Sequence, residues 1–365
     1  MKNRIESRRR RYFDLSSQIA QMDSRKLAGL FESSGAIEGW GRNHVIDVGR
    51  SKVFVKRVPI TGIERDNLFS TQNLYDLPTY YNYGIGSAGF GVSRELVAHI
   101  KTTNWVLNGD CEGFPLMYHY RIVPASGEKE VVDVERHKRY VEYWGGSANI
   151  GKYMLDRADA DHELVLFIEY MPEVLRPWLG ENPDRVGSML EDLFGTIAFL
   201  RKNGVIHFDA HFHNILTDGD RTYLTDFGLV LDRGFDLTEE ELRFFKQHSH
   251  YDYGLVLSCI AFILRDKFDS LPENVRHEIL AKYGLGPNTD QGEIMSTLID
   301  HTDDLPFEPL SLDKRYCACL NRHRKTIQTM HRFYSTLRAN PNKDTKFPQR
   351  RLLRHLLESG VVGSS

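Results

Sequence analysis

The sequence predicts an α+β fold of two lobes, in which a small antiparallel β-sheet is followed by a larger, mostly helical part. Strand-like segments at 44–48 and 53–58 flank a Gly-Arg-Ser turn, and Glu163–Met171 has the continuous apolar character of a buried strand. Beyond residue 184 the apolar residues recur at helical spacing. A chain of 365 residues is long enough to build two lobes with separate cores.

The composition is that of an ordinary folded protein, with 41% hydrophobic and 27% charged residues. The net charge of -3 gives no preference for nucleic acid or for an anionic membrane. Four cysteines in so long a chain do not indicate a disulfide framework and favour a reducing compartment. The longest apolar run, Leu255–Leu264, is too short to span a bilayer. The N-terminus lacks the apolar segment of a secretory signal, so we expect a cytoplasmic protein.

Residues 1–11 hold six basic side chains against a single acidic one, Glu6. A run of like charges of this kind predicts a solvated tail. Apolar residues at approximately helical spacing follow as far as Phe31. We therefore expect residues 1–35 to form a basic, helical N-terminal extension.

A glycine-rich turn, Gly39-Trp-Gly41, precedes the first pair of strands. Backbone N–H groups in such a turn can approach a phosphate without obstruction by Cβ atoms. Lys56 lies in the second strand, where it is either an exposed alternate residue or a buried cation aimed at an anion. The helix predicted from residue 93 carries Glu95, which is either a surface charge or a partner for Lys56.

The stretch 207–228 contains the polar residues best suited to chemistry. Asp209 is followed by Asn214, and Asp226 opens an Asp-Phe-Gly triplet. Apolar residues flank a polar turn at 218–221, which predicts a short hairpin that would bring Asn214 and Asp226 together beside Asp209. Two oxygen ligands and a carboxylate base are suited to holding magnesium on a phosphate chain and orienting a hydroxyl.

A metal-dependent hydrolase is an alternative interpretation of the same stretch. His207, Asp209, His211 and His213 alternate, so on an extended strand all four side chains would point the same way. Such a cluster could bind zinc or a pair of metal ions. This interpretation leaves Lys56 without a role.

The order of these motifs resembles the protein-kinase-like superfamily over approximately residues 36–264. The H-x-D-x-H-x-x-N motif at 207–214 is similar to the catalytic loop of the aminoglycoside phosphotransferase and choline kinase branch. Protein kinases usually have lysine where His211 stands, and their H-R-D arginine, which often binds a phosphorylated activation loop, is replaced here by Phe208. The Asp-Phe-Gly triplet at 226–228, by contrast, resembles the metal motif of protein kinases.

The resemblance implies a catalytic role for several matching residues. Asp209 would be the base that deprotonates the acceptor hydroxyl, and Asn214 and Asp226 would bind Mg²⁺. Lys56 would contact the α- and β-phosphates of ATP, with Glu95 as its ion-pair partner. Glu64 is a weaker rival for that partnership.

The resemblance also implies where the nucleotide binds and how the lobes divide. Gly39 and Gly41 would cover the phosphates, Glu169 and Met171 would offer backbone groups to adenine at the hinge, and Asp252 would brace the catalytic loop. Residues 36–168 would form the N-lobe, and residues 169–365 the C-lobe with a helical C-terminal extension.

The implied activity is ATP-dependent transfer of the γ-phosphate to a hydroxyl group. His211 and the lack of an Ala-Pro-Glu element after Gly228 favour a small-molecule acceptor, and no nucleic-acid partner or membrane span is expected. A serine/threonine protein kinase is the first alternative. A pseudokinase, which binds nucleotide without transferring phosphate, is another.

Overall fold

The computed structural model describes residues 2–33, 36–37, 42–125, 131–304, 310 and 312–363, and its class is α+β, as the sequence predicts. The strands in these ranges are β1 (Ala36–Ile37), β2 (Arg42–Val48), β3 (Ser51–Ile60), β4 (Met117–Pro124), β5 (His162–Glu169), β6 (Glu173–Val174), β7 (Val205–Ile206), β8 (Ile215–Thr217), β9 (Thr222–Leu224) and β10 (Leu231–Asp232). The helices are α1 (Lys2–Ala20), α2 (Ser24–Ser33), α3 (Gly62–Asp66), α4 (Val92–Asn108), α5 (Val134–Tyr143), α6 (Ala148–Ala158), α7 (Leu175–Glu181), α8 (Val186–Lys202), α9 (Glu239–Gln247), α10 (Tyr251–Asp269), α11 (Glu273–Lys282), α12 (Gln291–Asp300), α13 (Lys314–Ala339) and α14 (Gln349–Glu358).

The chain divides into two compact units. The first consists of Met1–Pro172 and Tyr223–Leu242, and the second of Glu173–Thr222 and Arg243–Ser365. The first unit therefore contains both the N-terminal helices and the short segment that follows Thr222. The assignment of 36–168 and 169–365 to kinase-like lobes stays a prediction.

The first unit is built on an antiparallel sheet with the strand order β1-β2-β3-β5-β4. The strands predicted at 44–48, 53–58 and 163–171 correspond to β2, β3 and β5. Gly49, in the turn between β2 and β3, has φ 62°, a conformation that glycine adopts readily. Lys56 lies on β3 opposite Asn43 of β2 and Leu166 of β5, so hydrogen-bonded strands fix its backbone on both sides.

Helix α4 packs on this sheet through an apolar cluster. Val92 and Leu96 contribute from the helix, and Val58, Leu166 and Ile168 contribute from the two central strands. Glu95, next to Leu96 on the same helix, is also buried. The cluster therefore fixes the rotation of the helix that carries the predicted partner of Lys56.

The segment between β3 and α4 contains α3 and a core of its own. Tyr75, Tyr81 and Phe90 are buried there with Trp144 and Tyr153. The indole of Trp144 lies edge-on to the ring of Tyr81, with the ring centroids 4.8 Å apart. Aromatic burial of this extent gives the segment a fixed position against α6.

The prediction of a solvated tail at residues 1–11 was wrong, because α1 buries Arg8. The Arg8 guanidinium donates through Nη1 to Glu112 O (3.0 Å) and through Nη2 to Phe114 O (2.6 Å). The same Nη2 lies 2.7 Å from Glu169 Oε2. Glu169 is 161 positions away in the chain, and nothing in the local charge run marks Arg8 as its partner.

Helix α10 forms the centre of the second unit. Nearly all of its residues from Tyr251 to Leu264 are buried, and it packs against α13, α12, α8 and α7. The longest apolar run of the sequence, Leu255–Leu264, therefore lies in a buried helix. In the part of the chain that the structure describes, no helix is long and apolar enough to cross a membrane.

A histidine, His248, is buried in the second unit. His248 stacks between Phe244 and Phe347, with ring centroids 3.9 Å and 4.6 Å away, and donates to Phe244 O at 2.7 Å. Burial lowers the pKa of His248 to about 4, although the hydrogen bond to Phe244 opposes the shift. The unfolded chain takes up this proton near pH 6.5, so the stabilisation is complete above pH 6.5 and is lost as the pH falls to 4.

The free energy of unfolding should fall between pH 7 and pH 4, and in His248→Phe this fall should be smaller by about 3 kcal/mol. A pKa shift of about 2.5 units corresponds to that energy. Denaturant unfolding at the two pH values measures it. His277→Gln, at an exposed histidine, is the control and should leave the pH dependence unchanged. An unaltered pH dependence in His248→Phe would show that this histidine is not a source of acid lability.

Candidate active site

The first unit brings three of the predicted site residues together around one ammonium group. Lys56 Nζ lies 2.7 Å from Glu95 Oε1 and 2.8 Å from Asp226 Oδ1. The side chains of Lys56 and Glu95 are 11% and 5% exposed, whereas that of Asp226 is 31% exposed. Lys56 is therefore the buried cation of the two alternatives, and Glu95 is its partner.

The two carboxylates determine the charge of Lys56. Burial by itself lowers the pKa of the Lys56 ammonium, but the charges of Asp226 and Glu95 outweigh it and raise the pKa above its usual value. The lysine is therefore charged at neutral pH. A charged lysine can neutralise phosphate oxygens, and a partly exposed carboxylate can hold the metal ion that accompanies them.

Glu64, the other candidate for the ion-pair partner of Lys56, caps helices instead. It forms a capping box at the start of α3: Glu64 N donates to Thr61 Oγ1 (3.2 Å), and Thr61 N donates to Glu64 Oε2 (2.9 Å). Its other oxygen, Oε1, accepts from Val92 N at the start of α4 (3.0 Å). Glu64 thus stabilises the first turns of two helices, including the one that carries Glu95.

The Asp-Phe-Gly triplet is held by close backbone contacts within the first unit. Asp226 has φ 65°, and its Oδ1 accepts from Gly228 N at 3.3 Å. Phe90 N donates to Gly228 O (3.3 Å), and a Cβ on Gly89 would lie 2.6 Å from the same oxygen. Only glycine fits at Gly89, since its φ of 94° is also unfavourable for other residues. The buried ring of Phe227 fixes the middle of the triplet.

The second unit brings the predicted base and one predicted metal ligand into contact. Asn214 Nδ2 donates to Asp209 Oδ2 at 2.8 Å and to Asp209 O at 3.1 Å. His211 Nε2 lies 3.5 Å from Asp209 Oδ1. The amide of Asn214 therefore orients the carboxylate of Asp209 within one short loop.

The polar turn predicted downstream of this loop is present. Asp218 Oδ1 accepts from Asp220 N and Arg221 N at 3.1 Å and 3.0 Å. Thr217 Oγ1 donates to Arg221 O at 2.7 Å. The approach of Asn214 to Asp226 that a hairpin would bring about stays a prediction.

A buried carboxylate at the start of α10 braces the loop that carries Asp209. Asp252 Oδ2 accepts from His207 N (2.8 Å), and its Oδ1 accepts from Phe208 N (3.0 Å). Burial raises the pKa of Asp252 to about 6, although the two N–H groups oppose the shift. Phe208 has φ 63°, an uncommon backbone conformation that these hydrogen bonds hold in place.

Phe208 stands where protein kinases have the arginine of their catalytic loop, and its surroundings are aromatic. Its ring centroid lies 4.8 Å from that of Tyr251, 5.4 Å from Phe244 and 5.6 Å from His248. The position is fully buried. An apolar cluster of this kind stabilises the loop by packing and offers no cation to a phosphate group.

The structure does not support the premise of the hydrolase alternative, which required an extended strand. Residues 207–214 form a loop with a positive φ at Phe208, so the alternating side chains do not share one face. His207 Nδ1 accepts from Asp209 N at 3.2 Å, while His213 Nε2 lies 3.0 Å from Arg176 Nη1. Among the residues that the structure describes, no group of three or more His, Cys, Asp or Glu side chains is placed to hold a metal ion.

The predicted hinge residue Glu169 has a structural partner that the sequence did not reveal. Its carboxylate binds Arg8 and accepts from Leu116 N at 3.1 Å, and its N–H donates to Leu116 O at 2.7 Å. These contacts tie α1 and β4 to the end of β5. Met171 lies two residues further on and is partly buried. Gly39 and Gly41, predicted to cover the phosphates, lie outside the described residues.

Comparison with known proteins indicates a relationship to kinases for part of the chain. A stretch of 106 residues is 34% identical to mitogen-activated protein kinase 15 of Caenorhabditis elegans. Part of this chain resembles a protein kinase. The match spans 26% of this chain and 22% of that kinase, and no protein-family model matches the chain.

Proposed function

We propose that the chain is an ATP-dependent phosphotransferase with a two-lobe, protein-kinase-like fold, which transfers the γ-phosphate to a hydroxyl group of a small molecule. The observation that carries the proposal is the buried Lys56 ammonium, 2.7 Å from Glu95 and 2.8 Å from Asp226. This arrangement offers a phosphate chain one fixed positive charge and, at Asp226, a carboxylate oxygen for its metal ion.

Each residue of the proposed set has its own role in the transfer. Lys56, oriented by Glu95, neutralises the α- and β-phosphates, while Asp226 and Asn214 hold Mg²⁺. Asp209 orients the acceptor hydroxyl and takes its proton. Mg²⁺ prefers carboxylate and amide oxygens, so the chemistry of these side chains fits the ion.

MgATP, when bound, supplies the phosphoryl group and offsets the charge that develops on it. The chain itself contributes position: Asp252 holds the loop of Asp209, and Asn214 orients its carboxylate. The resemblance to the protein-kinase-like superfamily implies that Gly39 and Gly41 cover the phosphates and that backbone groups of Glu169 and Met171 bind adenine.

Two features favour a small-molecule acceptor. His211 accompanies Asp209 in the pattern of the aminoglycoside phosphotransferase and choline kinase branch, and Phe208 fills the position of an anion-binding arginine with an aromatic cluster. The second candidate is a serine/threonine protein kinase, which the similarity to mitogen-activated protein kinase 15 favours.

We expect the chain to transfer phosphate from γ-labelled ATP to members of a panel of aminoglycosides, amino alcohols and sugars. Lys56→Met should lower the rate by at least about 10²-fold, since it removes a charge-stabilising group from the site. Lys52→Met, at an exposed lysine of the same strand, is the matched control and should leave the rate unchanged.

A generic serine- and threonine-rich protein acceptor, assayed in parallel, distinguishes the candidates. Transfer to the protein alone would establish the protein kinase, and nucleotide binding with no transfer to any acceptor would establish the pseudokinase. An active Lys56→Met variant would contradict the proposed site.

A further inference from the structure

Helix α4 carries a second ion pair, next to the one at Lys56. Arg94 directly precedes Glu95, and its Nη2 lies 2.7 Å from Glu241 Oε1. Arg94 Nε also donates to Thr71 O at 2.8 Å. Successive residues of a helix point about 100° apart, so Glu95 faces Lys56 while Arg94 faces Glu241.

Both members of this pair are removed from water, since each side chain is only 1% exposed. Burial lowers the pKa of Arg94, and the charge of Glu241 opposes the shift. Loss of either partner would leave the other as an uncompensated buried charge, which is strongly destabilising. The guanidinium also lies over the rings of Phe90 and Phe235, which further restrict its position.

Glu241 is fixed from its other side by the start of α9. Thr238 N donates to Glu241 Oε2 (3.0 Å), and Glu241 N donates to Thr238 Oγ1 (3.2 Å). This is the reciprocal pattern of a capping box. One carboxylate oxygen of Glu241 therefore caps the start of α9, and the other pairs with Arg94. A movement of Glu241 away from Arg94 would therefore weaken the cap of α9.

A second cation of α4 repeats the contact two turns further along. Lys101 stands seven residues after Arg94, on the same face of the helix. Its Nζ lies 2.6 Å from Oδ2 of Asp232, a buried carboxylate. Helix α4 therefore binds the segment 226–242 at two acidic positions.

We propose that Arg94 and Glu241 are a positioning pair that holds Glu95 against Lys56 and thereby fixes the phosphate-binding ammonium. The inference rests on the proposed function and extends it. The segment 226–242 is attached at one end by the ion pair of Asp226 with Lys56 and at the other by that of Glu241 with Arg94. Helix α4, which carries Arg94, also contacts Lys56 through Glu95. Because the side chains that order this segment are carboxylates, activity does not require phosphorylation of the segment.

A double-mutant cycle between Glu241→Gln and Glu95→Gln tests the coupling. The readout is the rate at which an N-hydroxysuccinimide ester acylates Lys56 in the folded protein, measured by mass spectrometry of the peptide that contains it. Each single change should raise this rate about tenfold, and the double change should add less than about twofold to either single change. The turnover number for transfer should fall in the same pattern.

Two controls separate positioning from general stability. Glu239→Gln, at an exposed acid of the same helix turn, should leave the acylation rate unchanged. Arg94→Met combined with Glu241→Met leaves no buried charge unpaired, so this variant stays folded even where a single change does not. It should still expose Lys56 to acylation, because the ionic link is gone.

Unchanged acylation in Glu241→Gln or in the double methionine variant would overturn the inference, as would equal and independent effects in the cycle. Loss of transfer upon phosphatase treatment would overturn it as well. Acylation requires neither ATP nor an acceptor, so the acylation rates decide the role of Arg94 and Glu241 even if the protein transfers no phosphate. Absence of transfer by the protein without substitutions would contradict the proposed function.

Discussion

Asp209→Asn is expected to lower the rate of phosphoryl transfer by about 10²- to 10⁴-fold, the contribution typical of a general base. The amide has the shape of the carboxylate but cannot take the proton of the acceptor hydroxyl. Its oxygen can still accept from Asn214 Nδ2, which lies 2.8 Å from the Asp209 carboxylate, so the loop stays folded. Initial rates at saturating ATP and acceptor measure the effect.

Asp220→Asn is the matched control, since it makes the same change at an exposed position of the nearby turn. It should transfer phosphate at the unmodified rate. The melting temperatures of both variants should equal that of the unmodified protein. A fully active Asp209→Asn variant would exclude Asp209 as the base of the proposed reaction.

Arg8→Ala is expected to lower the free energy of unfolding by about 3–5 kcal/mol, because it leaves the Glu169 carboxylate buried without its cation. The side chains of Arg8 and Glu169 are only 6% and 4% exposed. The same change removes donors from the carbonyl groups of Glu112 and Phe114. The midpoint of denaturant-induced unfolding measures the effect.

Arg10→Ala removes the same side chain from an exposed position of α1 and should change the stability by less than about 0.5 kcal/mol. Arg8→Met combined with Glu169→Gln leaves no buried charge and keeps an acceptor for Leu116 N, so it should recover most of the loss. If Arg8→Ala unfolds at the unmodified midpoint, the buried pair does not stabilise α1 on the sheet.

Much of the secondary structure follows from local patterns. Apolar spacing predicts helices beyond residue 184, and the structure has α8 (Val186–Lys202) and the buried α10 there. The Gly-Arg-Ser turn predicts the boundary between β2 and β3. These elements are predictable because periodicity and turn residues act over one or two turns of chain.

The site is predictable to the extent that its residues are close in sequence. Asp209 and Asn214 belong to one loop, so their spacing alone indicates that they meet, and they do so at 2.8 Å. The alternating histidines of the same loop are misleading, because the positive φ at Phe208 removes the strand that their alternation assumes.

By itself the sequence determined the α+β class, the order of the motifs and the kinds of side chain available for phosphate chemistry. Tertiary structure alone decided that Lys56 is buried between Glu95 and Asp226, that Glu64 caps helices instead, and that Arg8 is not part of a solvated tail. The reason is distance along the chain. Burial and ion pairing depend on partners more than 100 residues away for Asp226 and Arg8, and no local pattern records such partners.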